Sequence, residues 1–262
     1  MAGEMVKMTH NDPNIQKAAQ AILKSNFTTA YTGAGISVES GIPHFRGEGG
    51  LWTKYDPMLL DIDHFMQDPL RAWEIIKEIF YSYFGSAKPN KAHLVLAEME
   101  QRGLLGRTIT QNIDNLHQEA GSKYVFDFHG NSKRLVCLSC HAYYAVRDIN
   151  LDHLPPACGE CGGLLKPDYV FFGESIPQIP LTAAYEAASI SDVFLIIGTT
   201  GEVMPANQFP LIAKENGATI IEVNPHESNY TSAVTDIFLQ GKATEVMELL
   251  AAALFTPTLD ND

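Results

Sequence analysis

Apolar and polar residues alternate along the chain in blocks that predict helices and strands in turn. Between Pro13 and Asn26, apolar residues recur every three or four positions, which predicts a helix with Asp12 as its N-cap. Residues 27–32 are predicted to form a short strand, and the glycine-rich sequence 33–37 follows at once. The chain thus begins with a helix, a strand and a glycine-rich loop.

The same alternation returns further along the chain. Helices are predicted for residues 90–102, 205–216 and 243–254, and strands for residues 108–110, 125–128, 193–197 and 219–223. The run 193–197 is apolar at every position, which is typical of a strand buried on both faces of a parallel sheet. We therefore predict an α/β fold with a doubly wound, mostly parallel sheet and helices on both faces.

Two segments interrupt this alternation. Residues 51–87 have a helical, aromatic-rich pattern without a recognisable strand, and residues 131–166 contain all four cysteines and become rich in glycine and proline near their end. Because both lie between elements of the predicted sheet, we interpret them as insertions that together form a smaller domain.

The composition is that of a globular, acidic chain. Of its 262 residues, 45% are hydrophobic and 19% are charged, which suffices for a core and excludes a disordered chain. Lys and Arg number 18 against 31 Asp and Glu, so the net charge is −13 and nucleic-acid binding is not expected. Such a chain attracts basic partners, among them lysine-rich protein tails.

No stretch of the sequence approaches the roughly 20 apolar residues that span a bilayer, so no membrane association is expected. The longest apolar run, residues 249–255, lies in a predicted helix. The first ten residues lack the basic and apolar segments of a signal peptide, and the predicted location is the cytoplasm.

The four cysteines form two C-x-x-C pairs, Cys137 with Cys140 and Cys158 with Cys161. Two such pairs at this separation are typical of a tetrahedral zinc site. Four thiolates fill every position around the ion, which predicts a structural zinc rather than a catalytic one. Two disulfides or redox-active thiols are the alternatives, although disulfides are not expected in a chain without an export signal.

Small residues, Gly33, Ala34 and Gly35, follow the first predicted strand. Such a loop lets the backbone approach a pyrophosphate, and a helix start behind it favours negative charge. The third glycine of a dinucleotide fingerprint would fall at position 38, which is Val38. The loop alone is therefore as consistent with an ordinary strand-to-helix turn as with a phosphate site.

Three further polar features are candidates for a site. Arg46 could clamp an anion, although a surface arginine is the plainer interpretation. The polar run 110–114 ends a predicted strand, where open α/β sheets bind ligands, or it caps the helix that follows. His129 ends the predicted strand 125–128, where a neutral imidazole could accept a proton from a sugar hydroxyl.

In combination, these motifs resemble the sirtuin family, the NAD-dependent protein-lysine deacylases. They occur in the order of that family and span residues 33–225. The motifs are Gly-Ala-Gly-Ile-Ser at 33–37, Gly-Ile-Pro-His-Phe-Arg at 41–46, Thr-Gln-Asn-Ile-Asp at 110–114, His-Gly at 129–130, the two cysteine pairs, Lys-Pro-Asp-Tyr-Val-Phe-Phe-Gly-Glu at 166–174, Gly-Thr-Thr at 198–200 and Val-Asn-Pro at 223–225.

The resemblance implies a Rossmann-like large domain and a small domain made of a helical module and a zinc ribbon. The large domain would comprise residues 1–45, 88–130 and 168–262. The helical module would comprise residues 46–87 and the zinc-ribbon module residues 131–167. NAD and an acyl-lysine peptide would meet in the cleft between the two domains.

The resemblance also implies the site residues. His129 would be the general base, and Asn112 and Asp114 would act with it as catalytic residues that shape the nicotinamide pocket. NAD would be bound by Gly33, Ala34, Gly35, Ser37, Phe45, Arg46, Trp52, Gln111, Asn112, Ile113, Asp114, Gly198, Thr199, Thr200, Asn224, Pro225 and Ala243. The acyl-lysine substrate would be bound by Phe45, Ile113, His129, Val170, Phe172, Gly173 and Glu174, with residues 170–174 pairing with it as a strand.

The implied reaction removes acetyl groups from protein lysines and consumes NAD. Nicotinamide leaves as the amide oxygen attacks the ribose, and His129 deprotonates a ribose hydroxyl, which attacks the resulting imidate carbon. Water then releases the lysine, and the acyl group ends on ADP-ribose as O-acetyl-ADP-ribose. The expected cofactors are NAD and one structural zinc ion. The expected partners are acetyl-lysine proteins or peptides, and the chain is expected to be a monomer. A protein mono-ADP-ribosyltransferase and a non-catalytic peptide-binding module are the alternatives.

One departure from the family bears on the acyl group. Members that remove succinyl or malonyl groups carry Tyr-x-x-Arg in the helical module, where the arginine pairs with the acyl carboxylate. The corresponding stretch here, residues 80–84, is Phe-Tyr-Ser-Tyr-Phe and has no arginine. We therefore expect acetyl or apolar acyl groups to be preferred over acidic ones.

Overall fold

The structure is a computed structural model that describes residues 9–45 and 49–255. The α-helices are α1 (Pro13–Lys24), α2 (Ile62–Gln67), α3 (Pro69–Ile76), α4 (Lys91–Gln101), α5 (Leu116–Ala120), α6 (Gln178–Ile190), α7 (Phe209–Glu215) and α8 (Ala243–Phe255). The strands are β1 (Thr28–Thr32), β2 (Arg107–Thr110), β3 (Val125–Asp127), β4 (Gly130–Cys137), β5 (Tyr143–Ala145), β6 (Leu165–Tyr169), β7 (Val193–Ile197), β8 (Thr219–Asn224) and β9 (Ile237–Gln240). In this described part of the chain, no helix is both long and apolar enough to cross a membrane.

The larger sheet has six parallel strands in the order β3-β2-β1-β7-β8-β9. The chain builds outward from β1 to β3 on one side and from β7 to β9 on the other, so the order reverses between β1 and β7. The two strands end level, with Thr32 opposite Ile197. Ligands of open α/β sheets bind at the carboxyl ends of the strands at such a reversal. The predicted parallel sheet is therefore confirmed.

Helices cover both faces of this sheet, as predicted. Helices α1, α4 and α8 bury one apolar face on it, which includes Ile15, Leu96 and Leu250. Helices α6 and α7 cover the other face, where Ala184 and Phe209 are fully buried. The apolar strand β7 lies between the two cores and is buried at all five positions, which explains its uninterrupted apolar sequence.

Some elements differ from the sequence expectation. The loop after β1 continues as a 3₁₀ helix, Ala34–Ser40, and the helix predicted for residues 205–216 divides into a 3₁₀ turn, Ala206–Gln208, and α7. Helix α6 and strand β9 had no prediction. The buried face of α6 consists of alanines, which give a weak apolar period, and β9 is only four residues long.

The smaller sheet is antiparallel, in the order β5-β4-β6, and shares a core with the helical segment between residues 51 and 84. Helix α3 runs into a π-helical segment, Lys77–Tyr83. Trp73 of α3 is fully buried and donates its indole Nε1–H to the carbonyl of Leu165 at the start of β6, at 2.9 Å. The helical and cysteine-containing segments are thus packed into one unit.

Candidate functional site

Two glycine-containing loops meet where the strand order reverses. Gly35 follows β1 and Gly198 follows β7, and the N–H of Gly35 donates to the carbonyl of Gly198 at 2.8 Å. A Cβ on Gly35 would lie 2.6 Å from the Cα of Gly198, so a side chain cannot fit there. Gly198 itself has φ +67°, which favours glycine. These small residues let the two strand ends approach each other at the expected ligand position of the sheet.

Polar side chains fill the space beside this crossing. Ser37 Oγ donates to Asp114 Oδ2 at 2.7 Å, and Asn112 Nδ2 donates to Ser37 Oγ at 3.2 Å and to the carbonyl of Gly33 at 3.1 Å. The backbone N–H of Leu116, the first residue of α5, donates to Asp114 Oδ1 at 2.9 Å, so Asp114 also anchors the start of this helix. The run 110–114 therefore does both things considered from the sequence: it forms a polar cluster at the strand end and it begins the next helix. Burial raises the pKa of Asp114, and the hydrogen bonds from Leu116 and Ser37 oppose that rise.

A cavity of about 430 Å³ opens from this cluster. One end is lined by six of the predicted site residues, which are Ala34, Ser37, Phe45, Asn112, Ile113 and Asp114. The opposite wall is mostly aromatic and apolar and includes Phe80, Tyr81, Phe84, Leu116 and Val146. The cavity is therefore lined both by residues at the strand ends of the large sheet and by residues of the helical and cysteine-containing segments.

His129 lies outside the lining of this cavity but next to its polar cluster. Its Nδ1 lies 3.0 Å from the carbonyl oxygen of Gln111. Because a carbonyl only accepts, Nδ1 carries the proton and Nε2 keeps a free lone pair. The side chain is half-buried, and burial lowers its pKa while the Gln111 hydrogen bond acts in the opposite direction. The imidazole is thus a neutral base at pH 7.

Gln111 connects this histidine to the neighbouring strand ends. Its side-chain Nε2 donates to Thr199 Oγ1 at 3.1 Å, and its backbone N–H donates to the carbonyl of Thr32 at 2.9 Å. Gln111 thus makes contacts at the ends of β1 and β7 while its own carbonyl holds His129. The predicted residues of three strand ends are brought together by these contacts.

The predicted peptide-binding segment, residues 170–174, is attached at several points. The N–H of Val170 donates to the carbonyl of His129 at 2.8 Å. Phe172 donates its N–H to the carbonyl of Leu60 at 2.8 Å and accepts from the N–H of Ile62 at 3.0 Å. The backbone of Phe172 is therefore already paired with the helical segment.

An aromatic row adjoins this segment. The ring centroids of Phe45 and Trp52 are 5.4 Å apart, and those of Trp52 and Phe172 are 6.5 Å apart. The Phe172 ring remains 44% exposed. Trp52, predicted to contact the cofactor, thus packs between a cavity residue and the predicted peptide-binding segment.

The residues predicted for the adenosine side lie at the ends of β7 and β8. Asn224 Nδ2 donates to the carbonyl of Thr199 at 3.1 Å, whereas Thr200 and Pro225 are exposed on the adjoining loops. Ala243 is the buried first residue of α8. Arg46 lies outside the described residues.

The four cysteines converge. The Sγ atoms of Cys137, Cys140, Cys158 and Cys161 all lie within 4.8 Å of one another. The Cys137–Cys161 pair is 3.5 Å apart and the Cys140–Cys158 pair 3.6 Å apart. Tetrahedral Zn–S bonds of about 2.3 Å place sulfurs about 3.8 Å apart, whereas a disulfide requires about 2.05 Å. The cysteines are free thiols that fit one structural zinc ion, and the disulfide alternative is wrong.

Two groups of residues near the site had no prediction. The first is the aromatic wall of the cavity, whose only signal in the sequence is the density of aromatic residues between positions 80 and 84. The second consists of two separate buried ionisable residues, Lys166 and Glu222, which are 4% and 0% exposed. A charged residue within an apolar strand pattern is the signal that could have identified these two.

Comparisons with known proteins agree with this geometry. A model of the Sir2 family matches residues 33–205. An NAD-dependent protein deacylase of Aeropyrum pernix is 46% identical over 92% of this chain and 97% of its own length. An NAD-dependent protein deacetylase of Caldivirga maquilingensis is 44% identical over 90% and 91%, respectively.

Solved structures are similar over nearly the whole described fold. A mutant Sir2 homologue in complex with ADP-ribose has a TM-score of 0.86 at 41% identity, covering 91% of this chain and 95% of that chain. A Sir2–p53 peptide–NAD⁺ complex has a TM-score of 0.83 at 35% identity, covering 89% and 95%.

Proposed function

The chain belongs to the Sir2 family, and from this premise we propose that it is an NAD-dependent protein-lysine deacetylase. It would convert an acetyl-lysine protein or peptide, NAD and one water molecule into free lysine, nicotinamide and O-acetyl-ADP-ribose. The observation that carries the proposal is the half-buried imidazole of His129, held as a neutral base beside the polar cluster of Asn112, Ser37 and Asp114.

The residues at the strand reversal fit NAD. The close crossing of Gly35 and Gly198 leaves no side chain where a dinucleotide would pass, and the polar cluster ends in a cavity large enough for an aromatic amide. Asn112 and Asp114 would orient the nicotinamide, and Thr199 and Asn224 would hold the adenosine side. NAD supplies the ribose carbon that takes the acetyl oxygen and the nicotinamide that leaves.

His129 would take the proton from a ribose hydroxyl on its Nε2. Its Nδ1–H already donates to the carbonyl of Gln111, which leaves Nε2 as the nitrogen that can accept a proton. That carbonyl also stabilises the imidazolium that forms when Nε2 is protonated. The tautomer and the lowered pKa of His129 support this role as a general base.

Residues 170–174 would bind the peptide beside His129. The supporting observations are the hydrogen bond from Val170 to the carbonyl of His129 and the exposed Phe172 ring. A relative solved as a Sir2–p53 peptide–NAD⁺ complex has the same fold. The net charge of −13 favours substrates rich in lysine.

Nicotinamide release tests this function. With NAD alone the zinc-loaded chain should release little nicotinamide, and an acetyl-lysine peptide should stimulate release and become lighter by one acetyl group. His129→Ala should abolish both nicotinamide release and deacetylation, whereas His10→Ala, at an exposed position distant in sequence from the site residues, should leave both unchanged. ADP-ribose found on an acceptor protein would favour the mono-ADP-ribosyltransferase instead. No release with or without peptide would favour the non-catalytic binding module.

The aromatic wall predicts the acyl preference. Phe80, Tyr81 and Phe84 form the aromatic wall of the cavity, and the two cationic residues that also line it are each paired with a carboxylate, Lys133 with Glu119 and Arg147 with Asp148. We expect acetyl-lysine and apolar acyl-lysine peptides to be processed at least tenfold faster than succinyl-lysine peptides, since an unpaired carboxylate beside these rings would lose its hydration (roughly 1–3 kcal/mol). Rates measured with peptides that differ only in the acyl group check this, and comparable rates would contradict it.

The domain boundaries, the location and the oligomeric state stay predictions within this proposal. A large domain of residues 1–45, 88–130 and 168–262, with a small domain of residues 46–87 and 131–167, accords with the separate core shared by the smaller sheet and its helices. We propose a cytoplasmic monomer, which light scattering of the purified protein and cell fractionation would test.

A further inference from the structure

A buried lysine that the proposed reaction does not use lies just before the predicted peptide-binding segment, residues 170–174. Lys166 of β6 is 4% exposed. Its Nζ donates to the carbonyl of Pro167 at 3.0 Å and to that of Tyr169 at 2.8 Å, and it lies 3.0 Å from Glu174 Oε2. These three oxygens match the three hydrogens of an ammonium group. The donors of this buried group are therefore all used within the protein.

The carboxylate of Glu174 connects this lysine to a turn within the segment. Its Oε2 also accepts from the backbone N–H of Phe171 at 2.7 Å, and Glu174 donates its own N–H to the carbonyl of Phe171 at 3.0 Å. Gly173, inside the turn, has φ +87°, a conformation that favours glycine. Lys166 is thus bonded on both sides of the segment, to the carbonyl of Tyr169 before it and to the side chain of Glu174 at its end.

The same lysine contacts the side chain that turns inward from the segment. Its Nζ lies 4.2 Å from the centre of the Phe171 ring, which is 1% exposed and packs edge to face on Phe65 of α2 at 5.3 Å. Successive side chains of an extended chain point to opposite sides, and the next one, Phe172, is 44% exposed. The contacts on the inward side therefore determine which side chains the segment presents outward.

We propose that Lys166 is a positioning residue that, through Glu174, holds residues 170–174 in the conformation that binds the acyl-lysine peptide. Lys166 is too buried to contact a peptide itself, so its effect passes through the segment. The inference rests on the proposed function, which places the peptide at residues 170–174. Loss of the lysine should weaken peptide binding and spare ADP-ribose binding, because ADP-ribose would bind at the strand ends of the parallel sheet.

The decisive variant is Lys166→Met. Methionine keeps an unbranched apolar side chain but donates no hydrogen bond, so the oxygens around Nζ lose their shared donor. A fluorescently labelled acetyl-lysine peptide is titrated into the zinc-loaded full chain, and nicotinamide release gives kcat and KM. We expect peptide affinity to fall and KM for the peptide to rise, each about tenfold or more. The kcat, the KM for NAD and the affinity for ADP-ribose should each change less than about threefold.

Arg134→Met is the matched control. Arg134 belongs to the neighbouring strand β4 and also pairs with a carboxylate of β6, that of Asp168 at 2.6 Å, but its side chain is 59% exposed and it lies outside the segment. This variant also exchanges a cation of the smaller sheet for methionine, so it should keep the wild-type peptide affinity and KM.

Glu174→Gln tests the other half of the pair. Glutamine keeps an oxygen that can accept from the Phe171 N–H but removes the ion pair with Lys166, so we expect peptide affinity to fall about threefold. Combined with Lys166→Met it should add little to the effect of that variant, because the two residues act as a unit. Independent, additive losses would contradict an action of Lys166 through Glu174.

Thermal unfolding and zinc content of each variant separate binding effects from misfolding, and Glu174→Gln alone decides if Lys166→Met does not fold. A Lys166→Met peptide affinity equal to that of Arg134→Met would overturn the proposal. So would an equal loss of peptide and ADP-ribose binding, which a general loss of structure predicts, or a wild-type chain that binds no peptide.

The same measurements separate this inference from the proposed function. Peptide-stimulated nicotinamide release by the wild-type chain, together with unchanged peptide affinity in Lys166→Met, would reject only the positioning role. Weaker peptide binding by Lys166→Met, without any release by the wild-type chain, would support the positioning role and reject only the deacetylase.

Discussion

The carbonyl of Gln111 sets the chemistry of His129 through one hydrogen bond. With Nδ1–H donated at 3.0 Å, the second nitrogen is left as an acceptor, and partial burial keeps the ring neutral. The same principle acts at Asn224, where two fixed acceptors, the Thr199 carbonyl and Glu222 Oε1, leave a single free oxygen. At the scale of residues, neighbouring hydrogen-bond acceptors thus determine which nitrogen or oxygen atom of a side chain is still free to bind a ligand.

The pH dependence of the reaction should report His129. Burial lowers its pKa below the ordinary 6.5, and the protonated ring cannot act as a base. We therefore expect kcat/KM to rise with pH and to level off, with its midpoint below 6.5. Peptide-stimulated nicotinamide release across the acidic and neutral range measures this. A midpoint above 6.5 would show that another group limits the rate.

A pair of buried histidines makes the stability of the fold depend on pH. The rings of His93 and His117 are 4.9 Å apart and fully buried, and burial lowers the pKa of His93 to about 4 and holds the pKa of His117 well below its usual 6.5. His117 Nδ1 has no hydrogen-bond partner among the described residues. Protonation of either ring inside the fold is therefore unfavourable.

Acid should destabilise the fold through this pair. The unfolded chain takes up a proton on His93 near pH 6.5, whereas the folded chain does so only near pH 4, so stability is complete above 6.5 and is lost as the pH falls through that window. His93→Gln, which can keep the helix-capping hydrogen bond, should remove a dependence of up to about 3 kcal/mol. Urea unfolding of both proteins at several pH values measures it. Parallel stability curves would contradict the assignment.

At the scale of elements, the approach of two loops creates the site. A Cβ on Gly198 would lie 2.6 Å from the carbonyl carbon of Gly35, and its φ of +67° already disfavours other residues. The loops after β1 and β7 can therefore approach each other this closely only while both positions are glycine. The ligand position of the sheet depends on this contact.

Gly198→Ala should separate the loops. We expect a loss of stability of about 2 kcal/mol or more and at least tenfold weaker ADP-ribose binding. Gly217→Ala is the control, because Gly217 has φ +92° but no atom within 4 Å of its Cβ position. It should lower stability by about 1 kcal/mol and leave ADP-ribose binding unchanged. Thermal unfolding and calorimetry measure both effects, and equal affinities for the two variants would argue against a role for the loop contact.

Sequence patterns predicted the elements whose burial is periodic or complete. Strands β1, β7 and β8 and helices α1, α4 and α8 are confirmed within a few residues. Helix α6 was not predicted, because alanine faces give little contrast between buried and exposed positions. The motifs located the strand-end residues, but the aromatic wall of the cavity arises from packing between distant segments, which no local pattern encodes.

At the scale of the whole molecule, the zinc site supports more than its own sheet. Lys77 Nζ donates to the carbonyl of Leu151 at 2.8 Å, and the Trp73 indole donates to that of Leu165. The cysteine-containing segment thus holds in place the helices that form the aromatic wall and that adjoin the predicted peptide-binding segment. Loss of the zinc ion should therefore disturb both the aromatic wall and that segment.

Metal removal should abolish the reaction before it abolishes dinucleotide binding. Structural zinc contributes directly to folding energy, so chelation or Cys140→Ser should unfold the smaller unit and eliminate peptide-stimulated nicotinamide release. ADP-ribose binding, which depends on the parallel sheet, should persist. His153→Ala, at an exposed site in the same segment, should retain zinc and activity. Full activity of a zinc-free preparation would contradict this coupling.

The backbone of Phe172, bonded through both its N–H and its C=O to residues 60 and 62, is ordered before any substrate arrives. Its conformational entropy is lost when the chain folds, so a peptide bound at residues 170–174, as proposed, would not have to order this backbone. This edge of the segment is occupied by the protein, so such a peptide would have to align along the other edge.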